Sequence, residues 1–149
     1  TAADAIALLK ADHRRVEKLF AEFEEASRAD RKLRIATQIC DELTVHAELE
    51  EKAFYPKARE AMEEADLIDE ATVEHASAKW LIEQIRAMAP EDDLYDAKIK
   101  VLQEYIQHHV KEEENEIFPT LKKTDLDLAA LGEEMQALKP KLEKKLIKH

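Results

Sequence analysis

The chain has 149 residues with one Gly, four Pro, 45% apolar and 38% charged residues; that is enough for one domain with a real core and too little glycine for a sheet protein, so an all-α fold is predicted. The net charge of −11 repels phosphate backbones and anionic lipids, which argues against nucleic acid and membrane partners. No apolar run approaches a membrane span, and the first residues are not expected to act as a signal segment. The single cysteine, Cys40, can form no internal disulfide, so a reducing, cytoplasmic setting is expected.

The first helix is predicted over about Ala2 to Ser27, with a core-facing seam of Ile6, Leu9, His13, Val16, Phe20 and Phe23 at alternating spacings of three and four. After a break at Arg28-Ala29-Asp30, with Asp30 as N-cap, the second seam reads Ile35, Ile39, Leu43, His46, Glu50 and Phe54. Pro56 should end or kink that helix, because proline lacks the N–H and crowds the preceding turn. Lys57 to Asp66 reads as a last turn or two and then a loop.

The third seam is Ile68, Ala71, His75, Ala78, Ile82 and Ile85. Ala89-Pro90-Glu91-Asp92-Asp93 breaks the chain again. The fourth seam is Ile99, Leu102, Ile106, His109, Glu113 and Ile117. His108 with Glu112 offers a competing HxxxE pair, but the apolar stripe runs into His109. The tail from Thr124 to Leu146 is weakly amphipathic, with Thr124 and Asp127 resembling a capping box, Gly132 weakening its middle and Pro140 limiting its end.

The chain repeats itself. His46, Glu50 and Pro56 recur 63 positions later as His109, Glu113 and Pro119, and His13 recurs 62 positions later as His75. Two helical hairpins, each with a lone His on its first helix and HxxxE on its second, make an antiparallel up-down-up-down four-helix bundle with a short C-terminal fifth helix. The bundle should occupy residues 1–122, with 123–149 packed on the same domain as a helical tail.

Counting residues along each leg brings the four histidines to one depth, although the middle connection matches only if helix 2 stops or bends near Pro56. Four imidazoles and two carboxylates in one buried layer would cost several kcal/mol per unpaired charge. Two cations remove that cost, and HxxxE puts both donors of each motif on one face. Six N/O donors without sulfur favour iron or manganese, with zinc possible. A shared oxo or hydroxo group would still leave positions for a small ligand.

The pattern His13 … His46-xxx-Glu50 … His75 … His109-xxx-Glu113, with an aromatic and Pro after each HxxxE, resembles the hemerythrin-like HHE cation-binding family from about Ala5 to Leu121. The resemblance implies a non-haem di-iron centre for binding O2, or for oxygen, nitric oxide or iron sensing and handling. It also implies His13, His46, His75 and His109 as terminal ligands and Glu50 and Glu113 as bridges. Oxygen-carrying hemerythrins have a further His one turn after the third-helix ligand, where this chain has Lys79.

Glu42 and Tyr105, each one turn before an HxxxE histidine, are expected to orient imidazoles or to fill the vacant position; Glu51 and Glu112 are weaker candidates. Glu48, Glu114 and Glu116 read as solvated acidic residues, Cys40 as core, Trp80 as packing, His108 as surface and His149 as uninformative. A di-iron oxidase or peroxide-consuming enzyme is a second reading, and a metal-free helical interaction module a third. A ferritin-type site needs Glu-x-x-His, and no histidine here has Glu three residues before it.

Overall fold

The computed structural model describes residues 4–63 and 65–147. Five helical rods make up the described chain. Helix α1 spans Ala5–Glu25, and Asp4 caps it by accepting from the Ala7 N–H at 2.8 Å; the expected start at Ala2 lies outside the described residues. Helix α2 covers residues 29–61 as Ala29–Leu49, a π-helical turn Glu50–Phe54 and a last stretch Tyr55–Ala61. Helix α3 is Asp66–Arg86. Helix α4 covers 95–122 as Tyr95–Glu112, a π-helical turn Glu113–Ile117 and Phe118–Lys122. Helix α5 is Leu128–Leu146.

Pro56 does not end α2. A proline in an α-helix removes one N–H and drives its ring into the carbonyl four residues back. The chain avoids the clash by widening the turn before it, so that the Tyr55 N–H closes on the Glu50 carbonyl, five residues back. Pro119 is accommodated in the same way, with the Phe118 N–H on the Glu113 carbonyl. Pro140 likewise lies inside α5, which continues to Leu146. Two expected caps differ as well. Asp30 does not cap α2, which begins a residue earlier and has no side-chain cap. Asp127 caps α5 through the Ala130 N–H at 3.0 Å, while Thr124 bonds to the end of α4.

The four seams close on one another as α1–α2 and α3–α4 hairpins, and α5 lies along α1 and α2. The apolar interior is divided in two. One cluster holds Leu9, Leu49, Phe54, Ile68, Ile117 and Phe118, together with Leu131, Met135 and Leu142 of α5. The other holds Val16, Phe20, Ile39, Cys40, Ile82 and Leu102. On α1, α3 and α4 the histidines and the motif glutamate lie between these two clusters in chain order, and on α2 His46 and Glu50 stand at the start of the first cluster, after Val45 and Leu49. Trp80, expected to pack, is 62% exposed on α3. No helix among the described residues is long and apolar enough to cross a membrane.

Candidate metal centre

All six seam residues with donor atoms are buried: His13, His46, His75 and His109 lie within the core, and Glu50 and Glu113 are fully shielded from solvent. They meet as two trios, His13–His46–Glu113 and Glu50–His75–His109, whose donor atoms lie within 4.8 Å of one another in each. Every histidine turns Nε2 inward. His13 Nε2 is 3.0 Å from Glu113 Oε1, and His75 Nε2 is 2.9 Å from Glu50 Oε1. His109 Nε2 lies 3.5 and 3.6 Å from Glu113 Oε1 and Glu50 Oε1.

The outward nitrogens are each held by a carboxylate from a neighbouring helix. His46 Nδ1 lies 3.0 Å from Asp12 Oδ2, and His109 Nδ1 lies 2.8 Å from Glu74 Oε1. His13 Nδ1 is 2.7 Å from Glu114 Oε2, and His75 Nδ1 is 3.3 Å from Glu51 Oε2. A carboxylate on Nδ1 holds the proton there and leaves the Nε2 lone pair facing the interior, the arrangement that orients metal-binding histidines. The partners obey the repeat. The acidic residue before each lone His serves the HxxxE histidine, and the acidic residue after each motif Glu serves the lone His.

Two buried atoms of the layer, His46 Nε2 and Glu50 Oε2, have no hydrogen-bond partner. His46 Nε2 does lie 3.4 Å from Glu50 Oε1, but outside hydrogen-bonding geometry. Buried polar groups without partners are rare and cost about 1–3 kcal/mol each. A cation among these donors would satisfy both, so the residues fit a metal pair. Protons hold the charge balance otherwise. Burial opposes charge on His46, yet the Glu50 carboxylate and the bond to Asp12 raise its pKa to about 10. Burial also opposes charge on His109, and Glu113 overcomes it. Glu50 is correspondingly held well below the usual carboxylate range, its burial outweighed by His46 and its other partners.

Of the expected supporting residues, Glu42 and Tyr105 touch no imidazole. Glu42 pairs with Arg15 at 3.4 Å, and Tyr105 is 47% exposed beside a cavity that adjoins the imidazoles. Lys79 does not reach the centre either; its ammonium lies 2.6 Å from Glu51 and 3.5 Å from Glu48. Glu114 is no solvated residue, and Glu48 is tied to Lys79. His108 is exposed as expected, bonding Glu112 at 2.9 Å and Glu74 at 3.3 Å. His149 lies outside the described residues.

Sequence reasoning missed Asp12, Glu74 and Tyr55. The last is buried, with its hydroxyl 2.9 Å from Glu113 Oε2 and 3.2 Å from Glu50 Oε1. In a continuous α-helix it would stand about 140° round from Glu50; the π-helical turn brings it back to the same side. The cavity has a volume of about 40 Å³; besides the histidines its wall includes the apolar Val16, Leu43 and Ile82 and the charged Asp12, Glu74 and Lys79.

The chain is similar to known proteins. The chain is 28% identical over 141 residues to a protein from Nostoc sp. described as a DNA nickase; the match takes in 93% of this chain but only 40% of that relative's length. The crystal structure of a hemerythrin HHE cation binding domain-containing protein from Mycobacterium kansasii superposes with a TM-score of 0.82, covering 96% of this chain and 89% of that one at 23% identity. That likeness establishes a common fold. The profile of the hemerythrin HHE cation binding domain matches residues 4–121, and the chain belongs to that family.

Proposed function

We propose that the protein is a non-haem di-iron, hemerythrin-like protein that binds O2 or a related small ligand, in oxygen, nitric oxide or iron sensing or handling. The observation that carries this reading is the set of four inward Nε2 atoms, each locked by a carboxylate on Nδ1, around two fully buried glutamates. An iron pair, when bound, would supply redox-active centres with positions open to a small ligand. His13 and His46 would hold one ion and His75 and His109 the other, with Glu50 and Glu113 reaching both; manganese or zinc could substitute. The cavity supports a ligand of a few atoms, because its 40 Å³ holds only a few water-sized molecules.

Reconstitution with Fe(II) under anaerobic conditions should give two metals per chain, and fewer than one would sink the di-iron reading in favour of a metal-free interaction module. A second reading, a di-iron oxidase or peroxide-consuming enzyme, is favoured by Lys79, which stands where a carrier has histidine and turns away towards Glu51. Exposure of the reduced, loaded protein to air separates the two: a colour that bleaches on deoxygenation marks binding, whereas irreversible oxidation with peroxide consumption marks catalysis. The net charge of −11 opposes contact with a phosphate backbone, so DNA is not among the proposed ligands. A cytoplasmic setting remains part of the proposal, on the single cysteine.

A further inference from the structure

We propose that Tyr55 is a seventh protein ligand, binding the ion held by His75 and His109 through its phenol oxygen in place of the histidine that Lys79 displaces. The proposal rests on the di-iron reading above. Glu50 Oε1, His75 Nε2, His109 Nε2 and Tyr55 Oη have six mutual separations of 2.9, 3.3, 3.6, 3.2, 3.3 and 3.2 Å. These four atoms form a nearly regular tetrahedron. The centre of a tetrahedron of that size lies about 2.0 Å from each corner, the length of a bond from a divalent metal to nitrogen or oxygen. One position therefore satisfies all four donors at once.

Lys79, the sequence substitute for histidine, is held 2.6 Å from Glu51, on the outer side of His75. Tyr55 comes instead from α2, carried inward by the π-helical turn. At the equivalent place 63 residues on, the chain has Phe118, whose ring stacks against His13 at 6.1 Å with an interplanar angle of 7°. That half of the layer gains no oxygen. The two ions would differ: one would carry a phenolate and the other would keep the corresponding position open for the small ligand. As the O–Fe bond forms, the phenol proton leaves to solvent, as with other acidic ligands that bound cations deprotonate.

The experiment is resonance Raman spectroscopy on the full chain loaded with iron and oxidised to Fe(III). Phenolate bound to Fe(III) gives a visible charge-transfer band, and excitation within it enhances phenolate ring and C–O stretching modes. Wild type should show these modes, and Tyr55→Phe should lose them while retaining two irons. Tyr105→Phe, the control at the cavity rim, should keep them. Should Tyr55→Phe fail to fold, ring-deuterated tyrosine in wild type and Tyr105→Phe should still shift the modes. Two irons without phenolate modes overturn the proposal alone, as would their loss in Tyr105→Phe instead. Fewer than one iron per chain overturns the di-iron reading and this proposal together.

Discussion

The two hairpins are nearly copies in what they offer to the centre, and they part company at one oxygen atom. Both supply a lone histidine, an HxxxE pair and two carboxylates that grip imidazoles from behind, one in the same hairpin and one in the other. Both use a π-helical turn to pass a proline. Yet α2 delivers Tyr55 into the polar layer, and α4 delivers Phe118 against an imidazole face. The surroundings diverge as well. Asp12 is backed by Lys139 of α5 at 2.8 Å and by Arg15, whereas its counterpart Glu74 has the exposed His108 beside it at 3.3 Å. Duplication provides the symmetric frame, and departures from it at the rim and in the final turn make the halves unequal.

The largest effect should come from removing a shared glutamate. Glu50→Ala and Glu113→Ala should each abolish dinuclear binding, measured as metal per chain after anaerobic loading; two metals retained at wild-type affinity in both variants would refute the bridging assignment. A milder cut removes the outer carboxylates one half at a time. Asp12→Asn and Glu74→Gln should weaken metal affinity by about 10–100-fold, in competition titrations with a chelator. Equal losses would mark the halves as equivalent, and a larger loss at Asp12 would reflect its richer set of partners.

A pH series on the metal-free protein sharpens the same point. The His46 pKa, about 10 in the folded chain, exceeds the unfolded value of about 6.5. Its stabilisation is thus fully present below about pH 6.5 and is lost as pH rises towards 10. The melting temperature of the metal-free protein should fall over that range, and bound metal, which replaces those protons, should flatten the decline. The smallest effect belongs to Lys139→Ala. Its ammonium is part-exposed at 27%, so its loss should cost no more than about 1 kcal/mol in chemical denaturation.

The six central residues were legible because period and spacing report directly on faces of a helix. Their supports were legible only in part. Glu42 and Tyr105 stand one turn before a histidine on the same helix, but an imidazole whose Nε2 faces the bundle interior presents Nδ1 sideways, to the next helix. The partners are accordingly Asp12 and Glu74, each directly before a lone histidine in sequence, a regularity that the 62-residue repeat makes visible once sought. Tyr55 was hidden for another reason. A count of 100° per residue assigns the inward place after Glu50 to Phe54, whereas both Phe54 and Tyr55 are buried. No constant angle recovers that.

The π-helical turns act in space as a frameshift acts in a message. Residues before Glu50 and Glu113 are counted in one phase, and residues after Phe54 and Ile117 in another. Closing either turn to ordinary α-helical geometry with every residue kept would rotate everything downstream by about 100°, carrying Tyr55 or Phe118 away from the centre with the sequence unchanged. The prolines just beyond, Pro56 and Pro119, oppose that slip, because each would then meet the carbonyl it now avoids. A proline that looks like punctuation thus works as a phase lock for the side chains around it.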